Sequence, residues 1–272
     1  MQASIRLLLA GLVLQLASAV PTRTTPTVFL CSDSTAANYN PATTPIQGFG
    51  YYLGSYLSAN FTNLARGGRS TRSFQNQGLW AQLLSYIVPG DFVIIEMGHN
   101  DNGTPGSGSD LTKDRAVLPG IGEEIIVVQN TTGGTGNETV YTFGKYLRGM
   151  IKDVRGKGGI PVLSGMVPTM GWTNGTLQTD WPFTGWAEET ADSQHAGWVD
   201  HTKYSVARFQ ALGETAARAM FPLDNTHTDA DGAILNAETF IQGVKVRTYL
   251  NQLCEYSVRK GCQRNSKEVP KI

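Results

Sequence analysis

The chain has 272 residues, with 22 basic and 22 acidic side chains, and so carries no formal net charge at pH 7. It has no long basic block, which argues against nucleic-acid binding driven by counterion release. Only 16% of the residues are charged and 31 are glycine, a composition typical of a loop-rich globular protein. A chain of this length can bury a full core within one large α/β domain.

The first 19 residues have the features of a secretory signal peptide. Arg6 precedes an apolar run from Leu7 to Leu16, and Ala17-Ser18-Ala19 matches an A-x-A cleavage site. This run is too short to span a bilayer and no later run is long enough, so no membrane association is expected. We predict removal of residues 1–19, a secreted, extracellular single domain over residues 20–262 and a polar tail over residues 263–272.

The cysteines and sequons fit an oxidising, extracellular compartment. Cys254 and Cys262 lie close together and are predicted to form a disulfide, whereas Cys31 ends an apolar strand and is expected to be a buried free thiol. The sequon at Asn102 is left out of the prediction because Pro105 follows it and the candidate site residue Asn100 lies two positions before it. Glycosylation is predicted at four other sequons, Asn60, Asn130, Asn137 and Asn174.

Apolar strands alternate with helical segments along the chain. Strands are predicted at 27–31, 61–64, 91–96, 160–163 and 198–200. Helices are predicted at 48–57, 77–87, 143–155, 202–212 and 230–250, and a long loop at 167–196. The long segment at 102–142 is either a functional loop or holds small elements that its pattern does not show. The third strand is apolar throughout its interior, as expected when both faces of a parallel sheet are covered. The alternation predicts an α/β fold, a three-layer sandwich with a mainly parallel central sheet.

The first candidate site residue lies where the first strand ends, at Ser32-Asp33-Ser34. In an open α/β sheet, ligands bind outside the carboxyl ends of the strands, which would place the Ser34 hydroxyl at the mouth of a site. The other interpretation is that these side chains only cap the helix or tight loop that follows.

Asp224 and His227 form the second half of the candidate site, just before the last predicted helix. Three residues apart on one turn, the carboxylate can accept a hydrogen bond from the imidazole Nδ1 and leave Nε2 free as a base. Such a base would activate Ser34, because a free serine is a weak nucleophile. The same spacing also fits a solvated histidine beside an unrelated aspartate.

Acyl transfer needs hydrogen-bond donors directed at the developing oxyanion. Three candidates follow successive strands: Ser34 N–H at an expected helix start, Gly68 N–H in a glycine turn, and the Asn100 side-chain amide. Each could by itself be only a turn or a loop cap. The three are expected to converge because the carboxyl ends of parallel strands share one edge of the sheet.

Four segments occur in this order along the chain: Ser32-Asp33-Ser34, Gly68, Gly98-His99-Asn100-Asp101 and Asp224-Asn225-Thr226-His227. They resemble the four sequence blocks of the SGNH, or GDSL-type, hydrolases. The wider sequence, from about Thr27 to about Val246, is similar to the fungal rhamnogalacturonan acetylesterases. In one departure, Ser32 replaces the glycine of the first block, and we expect a local backbone change there. In another, the loop after the third strand has no cysteines.

The resemblance implies a flavodoxin-like sandwich with Ser34 as nucleophile, His227 as base and Asp224 as orienting carboxylate. It also implies an oxyanion hole formed by Ser34, Gly68 and Asn100. The implied activity is that of a serine esterase that removes acetyl groups from pectic rhamnogalacturonan, an acetylated plant cell-wall polysaccharide, without a cofactor. The four histidines show no metal-ligand spacing, so no metal is expected. The sequence shows no obvious association segment, and we expect a monomer.

Two alternatives remain open. The same chemistry could act on acetylated xylan or on small esters, because the loops and not the fold select the substrate. A protein of another class, a non-catalytic carbohydrate-binding protein, could keep the scaffold without turnover.

Three arginines and one histidine outside the motifs can also be interpreted from the sequence. Arg66, Arg69 and Arg72 flank Gly68 and either face galacturonate carboxylates or lie on a solvated turn. His201 is expected at the surface or in a loop.

Overall fold

A computed structural model describes residues 24–129 and 136–246 of the chain. The signal-peptide pattern, the sequon at Asn130, the cysteine pair Cys254 and Cys262, and the polar tail lie outside these residues.

The secondary-structure elements alternate as the sequence predicts. The strands are β1 Thr27–Ser32, β2 Asn60–Asn63, β3 Phe92–Glu96, β4 Ile125–Gln129, β5 Asn137–Tyr141, β6 Ile160–Ser164, β7 Trp172–Thr173, β8 Thr176–Leu177 and β9 Gly197–Val199. The α-helices are α1 Gly50–Leu53, α2 Thr71–Asn76, α3 Leu79–Tyr86, α4 Phe143–Gly156, α5 Pro182–Ser193, α6 His201–Leu212, α7 Glu214–Ala219 and α8 Ala230–Val246. Short 3-10 helices lie at Gly54–Tyr56 and Gly108–Thr112.

A parallel sheet forms the centre of the fold, with strand order β2-β1-β3-β6-β9. All four strand pairings in it are parallel. The order reverses between β1 and β3, and the carboxyl ends at such a reversal are where open α/β sheets bind ligands. The prediction of a three-layer α/β sandwich with a mainly parallel sheet is confirmed.

Both faces of the sheet are covered, because successive side chains of a strand point to opposite faces. Phe29 and Cys31 of β1 pack into one apolar cluster together with residues of α2 to α5. Val28 and Leu30 pack into a second cluster with residues of α1 and α8. Cys31 is a free and fully buried thiol, as expected. Burial raises its pKa, which makes the thiol unreactive.

The segments 102–142 and 167–196 both contain regular structure. The first holds the antiparallel hairpin of β4 and β5. For the second, the prediction of a loop is wrong, because it contains the twelve-residue helix α5. This helix buries mainly Ala187, Thr190 and Ala191, and such small residues give little of the apolar periodicity that identifies a helix in sequence. None of the helices in the described residues is long and apolar enough to cross a bilayer.

His201 is fully buried, so the expectation of a surface or loop residue is wrong. Its Nδ1 lies 2.8 Å from Glu96 Oε2, and its Nε2 lies 2.8 Å from the carbonyl oxygen of Asn236. The carbonyl oxygen can only accept, so His201 Nε2 is the donor in the contact with Asn236. Ser164 Oγ donates to the same Glu96 oxygen at 2.6 Å. These bonds connect β3 and β6 to α6 and α8 at the carboxyl ends of the two strands.

Replacing Glu96 with glutamine is expected to lower the free energy of unfolding by about 1–3 kcal/mol, because Glu96 Oε2 bonds both Ser164 and His201 and one amide atom cannot replace it in both buried bonds. Urea unfolding of Glu96→Gln and wild-type protein measures the loss. The matched control is Glu214→Gln, which breaks the exposed pair between Glu214 and Arg218 and should cost less than about 1 kcal/mol. Equal, small losses in both variants would contradict a stabilising role for the buried pair.

Candidate active site

Ser34 lies in a tight turn directly after β1 and is partly exposed. The Asp33 carboxylate builds this turn, because its Oδ1 accepts from both the backbone N–H and the hydroxyl of Thr35, each at 2.9 Å. A backbone bond from Ala36 N to Asp33 O closes it at 3.4 Å. The chain therefore forms a turn at Ser34, and the prediction that Ser34 N–H stands at a helix start is wrong.

Ser32, which replaces the glycine of the first motif, is the last residue of β1 and pairs in register with Glu96 of β3. Its carbonyl accepts from Arg66 N at 3.0 Å. Ser32 has a negative φ, since positive values among the described non-glycine residues occur at Asp114, Asn174 and His195. Ser32 thus has an ordinary strand backbone, although its buried Oγ has no hydrogen-bond partner.

Asp224 and His227 form the close pair that their spacing predicts. His227 Nδ1 lies 2.7 Å from Asp224 Oδ2. The other carboxylate oxygen accepts from the backbone N–H groups of Thr226 and His227 at 2.7 and 2.8 Å. Partial burial would raise the pKa of Asp224, but these hydrogen bonds outweigh it and lower the pKa overall. The carboxylate therefore stays ionised and can hold Nδ1 protonated, which leaves Nε2 as the basic nitrogen.

A chain of hydrogen bonds connects the histidine loop to the serine turn. Thr228 and Gln47 exchange two bonds, from Gln47 N to Thr228 O at 2.7 Å and from Thr228 Oγ1 to Gln47 O at 3.0 Å. The Gln47 side chain bonds the backbone N–H and carbonyl of Tyr39 at 3.0 and 3.1 Å. The Tyr39 hydroxyl in turn donates to the Ser34 carbonyl at 3.1 Å. The two halves of the predicted site are thereby held in one network.

The glycine turn after β2 adjoins the serine. A Cβ built on Gly67 would lie 3.7 Å from Ser34 Cβ and 3.4 Å from the Tyr39 hydroxyl. Gly68 has a φ of +76°, a conformation that favours glycine. The turn that contains Gly68, the predicted oxyanion donor, thus lies beside the candidate nucleophile at Gly67.

Asn100 follows β3, and its amide is oriented by two arginines. Asn100 Oδ1 accepts from Arg115 Nη1 at 2.7 Å, and Nδ2 donates to the Arg69 carbonyl at 3.2 Å. The same Arg115 nitrogen donates to the Gly68 carbonyl at 2.9 Å. Sequence reasoning missed Arg115, which stands 15 residues after Asn100 in a segment without apolar periodicity.

Arg72 is fully buried, so both interpretations of it, as a substrate contact or as part of a solvated turn, are wrong. Its guanidinium forms two bonds to the Glu138 carboxylate, at 2.9 and 2.6 Å, and one to Asp110 Oδ2 at 2.9 Å. Asp114 lies 3.6 Å away. Burial alone would lower the pKa of Arg72, but the carboxylates raise it overall, and the group stays charged.

A cavity of about 130 Å³ adjoins Asn100 and Arg115. In the part of the chain that the structure describes, no group of three or more His, Cys, Asp or Glu side chains could hold a metal ion. Asn60, Asn137 and Asn174 are exposed, and their glycosylation stays a prediction.

The parallel sheet has a serine turn at its switch point and an Asp–His pair whose loop is linked to that turn through Thr228, Gln47 and Tyr39, which is the architecture of a hydrolase. A family model confirms the class. The chain belongs to the GDSL-like lipase/acylhydrolase family, whose model matches residues 33–233.

Curated relatives extend the similarity over most of the chain. It is 34% identical over 230 residues to a rhamnogalacturonan acetylesterase of Emericella nidulans, covering 84% of this chain and 88% of the relative. It is 28% identical over 226 residues to a "Probable rhamnogalacturonan acetylesterase" of Bacillus subtilis, covering 80% and 92%. The protein is therefore a carboxylic ester hydrolase of the SGNH type.

Solved structures share the fold. Protein YxiM of Bacillus subtilis superposes with a TM-score of 0.63 at 24% identity, covering 82% of this chain and 57% of that one. The acetylxylan esterase Axe2 of Geobacillus stearothermophilus superposes with a TM-score of 0.52 at 13% identity, covering 81% and 94%.

Asp101, next to Asn100, is a buried carboxyl group beneath the site. Its Oδ1 accepts from the backbone N–H and hydroxyl of Thr71 at 2.9 and 2.6 Å, while its buried Oδ2 has no hydrogen-bond partner. Burial raises the pKa of Asp101 to about 7, the negative charge of Asp33 adds to the shift, and the bonds from Thr71 oppose it. The folded protein therefore keeps a proton on Asp101 at pH values where the unfolded chain has lost it.

This retained proton makes the contribution of Asp101 to stability largest in acid, and that contribution falls as the pH rises from about 4 to about 7. We expect Asp101→Asn to gain stability relative to the wild type across this interval, because an amide has no proton to lose. Urea unfolding of both proteins at several pH values gives the difference between their free energies of unfolding. The contributions of the other titrating groups are the same in both proteins and cancel in this difference. A difference independent of pH would contradict a raised pKa at Asp101.

Proposed function

We propose that the protein is a secreted serine esterase that hydrolyses acetyl esters on rhamnogalacturonan. The observation that carries the catalytic part is the 2.7 Å contact between His227 Nδ1 and Asp224 Oδ2, on a loop bonded through Gln47 and Tyr39 to the Ser34 turn. The names of the two curated relatives support acetyl as the group that is removed and rhamnogalacturonan as the substrate. Secretion is supported by the signal-peptide pattern of residues 1–19.

In the first step, Ser34 Oγ attacks the carbonyl carbon of the acetyl group while His227 Nε2 takes the hydroxyl proton. The Asp224 carboxylate keeps Nδ1 protonated and stabilises the imidazolium that forms. When the tetrahedral intermediate collapses, the bond from the acetyl carbon to the sugar oxygen breaks. The imidazolium returns its proton to that oxygen, which leaves the sugar hydroxyl and an acetylated Ser34.

In the second step, His227 Nε2 takes a proton from water, and the resulting hydroxide bonds to the acetyl carbon. Collapse of this second intermediate breaks the bond to Ser34 Oγ, which receives the proton from the imidazolium, and releases acetic acid, which ionises to acetate in water. During both steps the negative oxygen accepts from Ser34 N–H, Gly68 N–H and the Asn100 amide. These donors need no cofactor.

Replacing Ser34 with alanine is expected to reduce kcat/KM for an aryl acetate by about ten-thousandfold or more, because the nucleophile is lost. The release of the aryl alcohol is followed spectrophotometrically. The matched control is Ser85→Ala, which removes an exposed hydroxyl bonded only to its own helix and should keep wild-type rates. Wild-type turnover by Ser34→Ala would exclude Ser34 as the nucleophile, and an inactive wild-type protein would favour a non-catalytic carbohydrate-binding protein.

Acetate release from acetylated rhamnogalacturonan and from acetylated xylan, measured side by side with the purified protein, tests the substrate. We expect release from the pectic polymer and little from xylan. Release from xylan or from small esters alone would keep the acyl-transfer mechanism and contradict the proposed substrate.

A further inference from the structure

The two proposed oxyanion donors outside the serine turn, Gly68 N–H and the Asn100 amide, are both held from behind by arginine side chains. Arg69 Nη1 donates to the Gly67 carbonyl at 2.7 Å. Because the N–H of a trans peptide points away from its own carbonyl, this bond directs Gly68 N–H away from the guanidinium. Gln77 Oε1 accepts from Arg69 Nε at 2.9 Å and fixes the arginine itself.

Arg115 acts on both donors at once. Its Nη1 donates to the Gly68 carbonyl at 2.9 Å and to Asn100 Oδ1 at 2.7 Å. An amide group can rotate by 180° and exchange its oxygen and nitrogen. With Oδ1 bound to a cation, the Asn100 NH₂ group is the end left to face other acceptors. One of its two hydrogens meets the Arg69 carbonyl, and the other remains available.

The position of Arg115 does not depend on its own side chain. Asp110 Oδ1 accepts from the backbone N–H groups of Arg115 and Ala116 at 2.6 and 2.7 Å. Asp110 Oδ2 accepts from Gly106 N at 2.8 Å and from the buried Arg72 at 2.9 Å. The backbone at residue 115 is therefore fixed by Asp110, and shortening the arginine side chain should leave this loop in place.

The charges of these arginines also lie close together. Burial lowers the pKa of Arg69, and the positive charges of Arg66 and Arg115 lower it further. Such crowding of cations behind two hydrogen-bond donors favours negative charge in front of them.

We propose that Arg115 is a positioning residue of the oxyanion hole, which orients the Asn100 amide and the Gly68 turn for the tetrahedral intermediate without contacting the substrate. The inference rests on the proposed esterase function. It assigns a role to a residue that lies outside the four sequence motifs.

Replacing Arg115 with alanine is expected to lower kcat for an aryl acetate by roughly tenfold to a hundredfold, somewhat less than the loss of one oxyanion donor. KM should stay within about twofold, because the interaction is made in the transition state. Arg115→Lys keeps the charge but not the planar fork and should recover only part of kcat. Guanidinium ion at millimolar concentration should raise kcat of Arg115→Ala and leave that of Asn100→Ala unchanged.

A double-mutant cycle tests whether Arg115 acts through Asn100. The double variant of Arg115→Ala and Asn100→Ala should lose clearly less activity than the product of the two single losses. The matched control is Arg155→Ala. This arginine also donates to two backbone carbonyls, those of Gln194 and His195, but it lies in the last turn of α4, and its loss should leave kcat unchanged.

If the two single losses of activity simply multiply in the double variant, the positioning role is overturned. An Arg115→Ala variant with wild-type kcat, or with a change in KM alone, would overturn it as well. In those cases the wild-type protein still hydrolyses the ester, and the esterase proposal stands. A wild-type protein without esterase activity would overturn both.

Discussion

The loops around the candidate site depend on one interaction, the pairing of the buried Arg72 guanidinium with two carboxylates. A cation without exposure is stable only when its charge is paired and its N–H groups are bonded, and here Glu138 and Asp110 provide both. Glu138 lies on β5, so its contact with Arg72 holds the hairpin of β4 and β5 in place. Asp110 lies in the segment after β3, so the other contact fastens the loop that reaches the site. From Asp110 the backbone bonds continue to Arg115, and from there to Asn100 and Gly68.

The sheet brings the remaining parts together. β1 lies between β2 and β3, so the turns after these three strands are neighbours at one edge. Ser34, Gly68 and Asn100 each stand in one of these turns, although they are far apart in sequence. The Asp224–His227 loop precedes α8, a helix on the face that also carries α1, and is joined to the serine turn through Gln47. The arrangement of parallel strands thus determines which polar residues can meet.

The sequence predicts those features that depend on local pattern. The apolar strands, α4 and the Asp224–His227 contact are where periodicity and spacing place them. The buried state of Arg72 is not predictable in this way, because its partners lie 38 and 66 residues further along the chain. The same holds for His201, whose partner Glu96 is 105 residues away. A short polar segment looks solvated until the partners that bury it are known.

The Asp224 carboxylate has two tasks that involve different oxygens. Oδ1 closes its own loop by accepting two backbone N–H groups, and Oδ2 holds the imidazole. All three bonds lie within four consecutive residues, so the acid and the base constitute a unit that needs no other part of the chain for its internal geometry. The rest of the fold has only to deliver this unit to the serine. Changes in distant elements can therefore alter the distance between Ser34 and His227 while the contact between Asp224 and His227 stays intact. A substitution that misplaces the loop is thus distinct from one that disrupts the Asp–His pair itself.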